Sequence, residues 1–565
     1  MTTMIADILI PPGFVLIAAG LVMLALRTNA MRTVLLLTAP VLTLWLIWTT
    51  GDGAQVVTSF LGQNLILSEG TRLGRAFATV FAMMAFAGGL FALNQKNTLE
   101  LAAAFVYAGS AIGVTFSGDL ITVFIFWEIM AVASTFVIWC GGGGGLKAGM
   151  RYGAIHMLGG VLFMAGVAGE IAATGSTTFQ AMDVSTVPRM LILAGFLVNV
   201  GAPPLSAWLP DAYPASSWSG MVFLSAFTTK TAVYVLIRGF PGTEILIPIG
   251  LFMVFYGIIW AILENDMRRI LAYSIVNQVG FMVVAVGIGS EMALNGATAH
   301  AFAHIIYKAL LLMSAGSVML MTGKTKCTDL GGLFRTMPLT ATCGIIGALA
   351  ISAFPLTSGF VAKSMISEAA GEAHLALVWF LLAAASAGVF LHAGIKFPWF
   401  VFFQKDSGMR PEEPPWNMRA AMVGLAVVCV VLGIFPRLLY DILPFATNYV
   451  PYTFAHVVYQ LQLLLFSGLA FFLMLHWLKR TETITLDFDW LWRMLGKAVA
   501  SSLDAVFAWI YGIITRLTKA VAGLSRDKLA DTHGPEGIFG RTWPTGTMAF
   551  WTTVMLGAVL LLSFV

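Results

Sequence analysis

About sixteen times along its length, this chain runs for roughly 20 residues with hardly a charge. That is the length a helix needs, at 1.5 Å of rise per residue, to cross a hydrocarbon core about 30 Å thick. Hydrophobic residues make up 59% of the 565 and charged residues 10%, against about 25% charged in ordinary globular domains, and the mean hydropathy is +0.88. So few charges cannot cover a water-soluble surface. A soluble enzyme, a nucleic-acid binder with a basic face and a disordered scaffold are excluded, and an all-α polytopic membrane protein of about 14 to 16 transmembrane helices remains. The net charge of +4 assigns no partner. The four cysteines, Cys140, Cys327, Cys343 and Cys429, form no CxxC pair, which argues against haem attachment, iron–sulfur ligation and a disulfide framework. No cofactor is expected.

The expected spans are 8–26, 32–49, 74–93, 99–117, 118–140, 152–173, 188–208, 217–238, 244–263, 269–288, 296–321, 337–370 with a break, 375–403, 418–438, 455–477 and 544–565. The N-terminus lacks a basic region and a small-residue cleavage site, so the first span reads as a permanent helix. Alternate loops carry most of the cations, among them Arg27 and Arg32, Lys147 and Arg151, Arg268 and Arg269, and Lys405 and Arg410. By the positive-inside rule, these loops lie in the cytoplasm and both termini outside.

Two stretches depart from simple spanning helices. Pro203, Pro204 and Pro210 fall in the segment 199–213, and Pro355 with Gly359 in 353–363; prolines there remove donors and prevent continuous helix. Inside hydrocarbon, broken backbone survives only when buried in protein or lining a watery cavity. Such breaks in two halves of a transporter point to a site between them, whereas kinks used for packing are the plainer reading. A third departure is the tail, where Leu495, Val499, Leu503, Phe507, Ile510, Ile514 and Val521 recur mostly three or four apart. The pattern over 488–524 predicts an amphipathic helix about 55 Å long, which braces neighbours or caps the cytoplasmic face, followed by a linker over 525–547.

Chemistry must come from charges placed where charges are expensive. An ionisable group inside a span costs at least about 2.5 kcal/mol and by default marks an ion or proton path. Glu128 and Lys230 sit too deep in their spans to snorkel, leaving a transport role or a structural ion pair. His300, His304 and Lys308 fall at i, i+4 and i+8, along one helix face for about 12 Å. No nearby Cys or carboxylate completes a metal site with the two histidines, so no metal is expected, and a packing role for each is the competing reading. Lys363 lies just past the second break. His392 and Lys396 are further candidates, although Lys396, followed by Phe397 and Pro398 near a span's end, is expected to snorkel to the interface.

The segments Phe126-Trp-Glu128, Trp208-Leu-Pro-Asp-Ala212, Asp266-Met-Arg-Arg-Ile-Leu-Ala-Tyr-Ser274, His300-x3-His304-x3-Lys308 and Gly359-Phe-x-x-Lys363 resemble, in this order, the antiporter-like subunits shared by Mrp-type cation/proton antiporters and respiratory complex I. Among the branches the chain looks most like the D-type member of the Mrp antiporters. The resemblance implies two inverted five-helix repeats, each with one broken helix, over 99–240 and 241–403, flanked by N-terminal helices (1–98), C-terminal core helices (404–480), a cytoplasmic amphipathic segment (481–543) and a final span (544–565). It also implies a charged axis in which Glu128, Lys230, His300, His304, Lys308 and Lys363 move protons. Where most relatives carry a lysine paired with the glutamate, this chain has Asn199. Asparagine holds no proton charge, so Glu128 is expected to keep its proton or to pair with Lys230 or a cation.

The expected function is a membrane subunit of a multi-subunit monovalent cation/proton antiporter, the cation read as Na+, in the cell's inner (plasma) membrane, with other membrane subunits and the lipid bilayer as partners and no nucleic acid. The alternatives are a proton-pumping subunit of complex I or a related oxidoreductase, and a non-transporting structural subunit.

Overall fold

The computed structural model describes residues 10–26, 28–60, 62–482 and 486–563. Arg27 and the outermost residues of the first and last expected spans lie outside them. Among the described residues, fourteen helices are long and apolar enough to cross a membrane, and three shorter apolar helices, Pro12–Ala25, Val187–Val200 and Pro338–Ile351, fall where spans were also expected. One of the fourteen is the tail helix, so the remaining helices cover all sixteen predicted positions.

The helices begin and end where local chemistry dictates. Asp119 accepts from the Thr122 amide at 2.8 Å, Asp266 from those of Arg268 and Arg269, and Ser290 from that of Ala293, satisfying donors that a helix start leaves without partners. The tightest helix pair, Leu246–Leu263 with Met267–Ile288, crosses at Gly250 and Gly280, where a Cβ on Gly250 would lie 2.7 Å from the Gly280 carbonyl oxygen. Small residues let spanning helices approach this closely.

Four features differ from the expected course. A hairpin, Gln55–Phe60 paired with Gln63–Glu69, qualifies the all-α reading. It docks through Asp119, whose carboxylate accepts from the Ile66 amide at 2.6 Å, and through Glu69, paired with Arg238 at 2.6 Å. The expected span 217–238 is interrupted at Phe227 into Gly220–Ala226 and Thr228–Gly239, a break that no proline announces. The helix Ala376–Val389 continues as π-helical turns over Phe390–Lys396 and Trp399–Phe403. Finally, the tail helix runs Asp489–His533, nine residues beyond its predicted end, because the polar stretch after Leu524 contains no proline before Pro535.

The breaks themselves are more specific than the sequence suggested. Pro203 and Pro204 lie in the non-helical stretch after Val200, and Pro355 lies between Ile351 and Ser358. Pro210 instead occupies the first turn of the short helix Trp208–Ala212, where its missing N–H costs nothing. Gly359 also breaks nothing: it sits in the first turn of Ser358–Glu372 because a Cβ there would overlap the Ala350 carbonyl oxygen.

Residues up to Asp489 form one compact unit and 490–565 a second. The first unit ends on a buried anchor. Asp487 accepts hydrogen bonds from the Tyr256 and Tyr273 hydroxyls at 2.6 and 2.7 Å, while the Trp260 indole donates to the Leu486 carbonyl at 3.0 Å.

Candidate functional site

The Glu291–Thr322 helix carries His300, His304 and Lys308, none of them exposed. Eight residues of α-helix stack the three on one face. The imidazoles lie 6.2 Å apart, centroid to centroid, and neither has a hydrogen-bond partner on either ring nitrogen. Lys308 donates to the Ser274 hydroxyl at 2.9 Å and to the Leu271 carbonyl at 3.4 Å on the neighbouring Met267–Ile288 helix. From that same helix Phe281 meets both His300, at 6.1 Å between centroids, and the Lys363 ammonium, 4.9 Å from the ring centroid.

The helix breaks supply acceptors for the remaining two lysines. Lys363 donates to the Ile351 carbonyl at 3.0 Å, at the end of the helix before the second break. Lys230 donates to the Ser225 carbonyl at 2.7 Å and to Thr229 at 3.1 Å, beside the interruption at Phe227. An interrupted helix leaves carbonyls without their usual partners, and here buried ammonium groups take them. Among the described residues, none of these five basic groups forms an ion pair. Most of the ion pairs that do form join carboxylates to arginines in or beside the loops, as in Arg151–Asp211, Arg189–Glu170 and Arg269–Glu264.

Glu128 is only half-buried, and of the alternatives expected for it, the pairing with Lys230 is not formed. A Cβ on Gly160 would overlap Glu128 Oε1, and one on Gly159 would lie 3.5 Å from Asn199 Oδ1. The two glycines of the Gly145–Thr174 helix thus seat Glu128 and Asn199 against one short stretch of backbone. Glu128 Oε1 and both polar atoms of the Asn199 amide have no hydrogen-bond partner, although buried polar groups ordinarily find one. Each side chain thus offers a buried polar atom that a water or cation would satisfy.

His392, in the π-helical stretch, donates through Nδ1 to the Gly388 carbonyl at 2.9 Å one turn earlier; π-helical turns are a helix defect often found at functional sites. Lys396 does not snorkel. It is 2% exposed, and its ammonium caps the end of the Leu246–Leu263 helix, donating to the carbonyls of Ala261 at 3.2 Å, of Ile262, and of Glu264 at 2.5 Å. Carbonyls without partners at a helix C-terminus attract a cation, which accounts for the burial.

Two groups escaped the sequence reading. His156, 1% exposed, stacks on Tyr152 at 3.9 Å and bonds its Nδ1 to the Tyr152 carbonyl at 3.0 Å, leaving Nε2 without a partner. Tyr152 also belongs to a hydroxyl chain, Ser134–Tyr152–Thr228–Tyr107, with oxygen separations of 2.9, 3.3 and 2.6 Å. The rule that flagged Glu128 would have flagged His156, a titratable side chain in mid-span; the hydroxyl chain, drawn from four helices, leaves no pattern in sequence.

Residues 117–390 match the family described as NADH:quinone oxidoreductase/Mrp antiporter, TM. The chain is 33% identical over 279 residues to the D component of the Na(+)/H(+) antiporter of Alkalihalophilus pseudofirmus, covering 46% of this chain and 56% of that protein. Against the A/B component of the probable K(+)/H(+) antiporter of Rhizobium meliloti it is 31% identical over 357 residues, covering 58% and 36%. It therefore spans about half the length of these relatives or less. Among solved structures, a chain of the membrane-bound sulfane sulfur reductase, an archaeal respiratory membrane complex, has the same fold. The TM-score is 0.71 at 22% identity, over 97% of this chain and 99% of that one.

Proposed function

We propose, for a chain whose residues 117–390 match the transmembrane family of NADH:quinone oxidoreductases and Mrp antiporters, the role of a membrane subunit in a multi-subunit monovalent cation/proton antiporter. Na+ is the cation we assign first. The observation that carries the reading is the set of basic groups Lys363, His300, His304, Lys308 and Lys230, buried to at least 98% and, among the described residues, without a carboxylate partner. Neighbouring like charges in a low-dielectric interior oppose one another, so these groups do not all carry protons together. A proton arriving at one bears on its neighbours, which is the physical requirement for a relay. Glu128 with Asn199 forms a separate polar station in the first half, and 99–240 and 241–403 act as the two repeats. The protein sits in the plasma membrane with both termini outside, among other membrane subunits.

The full-length fold match, tail included, favours a second reading: a component of a redox-driven respiratory membrane complex. One experiment separates the two. The complex is purified from native membranes and reconstituted in proteoliposomes with a pH-sensitive dye inside. Proton movement driven by an imposed Na+ gradient alone supports the antiporter; movement that requires an electron donor overturns it.

A further inference from the structure

From the deep end at Lys363, a cavity of about 280 Å³ opens between the Ser358–Glu372 and Phe454–Leu473 helices, with Ser364, Ser367 and Glu368 on one wall and His456 and Gln460 on the other. Glu368 and His456 also line a second cavity, of about 600 Å³, whose rim carries Glu291 and Glu372. The passage thus leads from a lysine that is 2% exposed to an exposed carboxylate. Glu368 lies five residues beyond Lys363, about 7.5 Å further along the helix. Ser364, one turn before Glu368 and 7% exposed, has a hydroxyl with no hydrogen-bond partner; the Tyr449 hydroxyl approaches it without reaching normal geometry. A buried hydroxyl lacking a partner is costly, and this one faces the cavity.

We propose that this cavity binds a monovalent alkali cation through the Glu368 carboxylate and the Ser364 and Ser367 hydroxyls, and that the bound cation and a charged Lys363 exclude one another. Hard cations take oxygen ligands, and one carboxylate in the narrow part balances a single charge. A charged lysine at the deep end of the same low-dielectric cavity would weaken cation binding through like-charge repulsion. Proton and cation then compete for one cavity, which is what exchange of one for the other requires. The inference rests on the antiport reading for its place in transport, but the site stands on geometry. The other titratable groups facing the cavity are His456 and Tyr459 on the opposite helix, Tyr449 beside Ser364, and Glu291 and Glu372 at the rim; His300 lies behind Lys363, across Phe281.

The test uses the full chain in its complex, in sealed vesicles, with Cys140, the one native cysteine that is not buried, replaced by Ala. Ala383→Cys, which lines the cavity without being a ligand, is labelled with a membrane-impermeant methanethiosulfonate, and Ala455→Cys serves as a second probe. We expect labelling from one side only, slowed about tenfold by Na+ or K+ at ten times its half-effective concentration relative to equal choline. Glu368→Gln should remove the slowing. Acidification, kept above about pH 5 where carboxylates titrate, should also remove it, but not in Lys363→Met. Absence of labelling at both probes, or equal rates in Na+, K+ and choline, would overturn the site. A pH dependence persisting in Lys363→Met would assign the titration to His456 or the rim and overturn the mutual exclusion. Because labelling reads occupancy and not transport, a wild-type complex that needs an electron donor would sink the antiporter reading and leave this one standing.

Discussion

The Lys363 ammonium lies over the face of Phe281, 4.9 Å from the ring centroid, donates to the Ile351 carbonyl at 3.0 Å, and among the described residues meets no carboxylate. An aromatic ring favours a cation by about 0.5 to 2 kcal/mol, far less than a buried ion pair resists being broken. The same ring touches His300. A weak, fixed partner of this kind suits the proposed relay, in which the charge on Lys363 must later leave.

Replacing the ring tests that role. Phe281→Leu keeps apolar bulk but removes the quadrupole, and should shift the proton concentration for half-maximal transport by about two- to thirtyfold. Phe281→Tyr should stay near wild type. The check is initial transport rate against pH in proteoliposomes.

Lys308→Ala and Lys363→Ala each remove a buried donor and are expected to abolish cation-dependent proton movement while the complex still assembles. Size-exclusion profiles beside dye-based transport assays decide this, and normal transport by either assembled variant would remove that lysine from the relay.

Around Glu128, the prediction is steric. Gly160→Ala inserts a methyl where Glu128 Oε1 already sits, so the flexible end of that half-buried side chain must swing away from Gly160. Thermal unfolding of the detergent-purified complex should stay near wild type, while transport should fall. Asn199→Lys, which brings a cation to the same glycine pair, should raise the half-saturating cation concentration. Unchanged half-saturation with full activity would place Asn199 outside the cation path.

Lys396 makes the opposite prediction. As a cap on the Leu246–Leu263 helix, its loss in Lys396→Met should cost about 3 kcal/mol of stability, since breaking a buried charge's contacts strands its acceptors. Cation and proton half-saturation in the surviving complex should not move. Selective loss of transport at wild-type stability would instead put Lys396 on the path.

For the tail, truncation after Asp489 keeps the anchor that Asp487 makes with Tyr256 and Tyr273 but removes the amphipathic helix. A partner protein should then dissociate during purification, as read by mass spectrometry, while the core keeps its fold. An unchanged complex would leave the helix only a capping role.

Spans could be located in sequence because burial in hydrocarbon is a local demand: each run of about 20 residues must be apolar on its own account. The buried basic residues were equally legible, since a charge in such a run is conspicuous whatever surrounds it, and prolines announced two of the breaks. What those charges face is set by residues far away in the chain, and only the tertiary structure decided it. Lys396 finds its acceptors about 130 residues earlier, at Ala261, Ile262 and Glu264, so its local context of Phe397 and Pro398 pointed wrongly to the interface. Lys230 turned to the Ser225 carbonyl and not to Glu128 because the helix breaks at Phe227, where no residue type demands a break. The glycine pair between Glu128 and Asn199 and the cavity beyond Lys363 likewise exist only where separate helices meet, because periodicity records which face of a helix is buried and never which neighbour buries it.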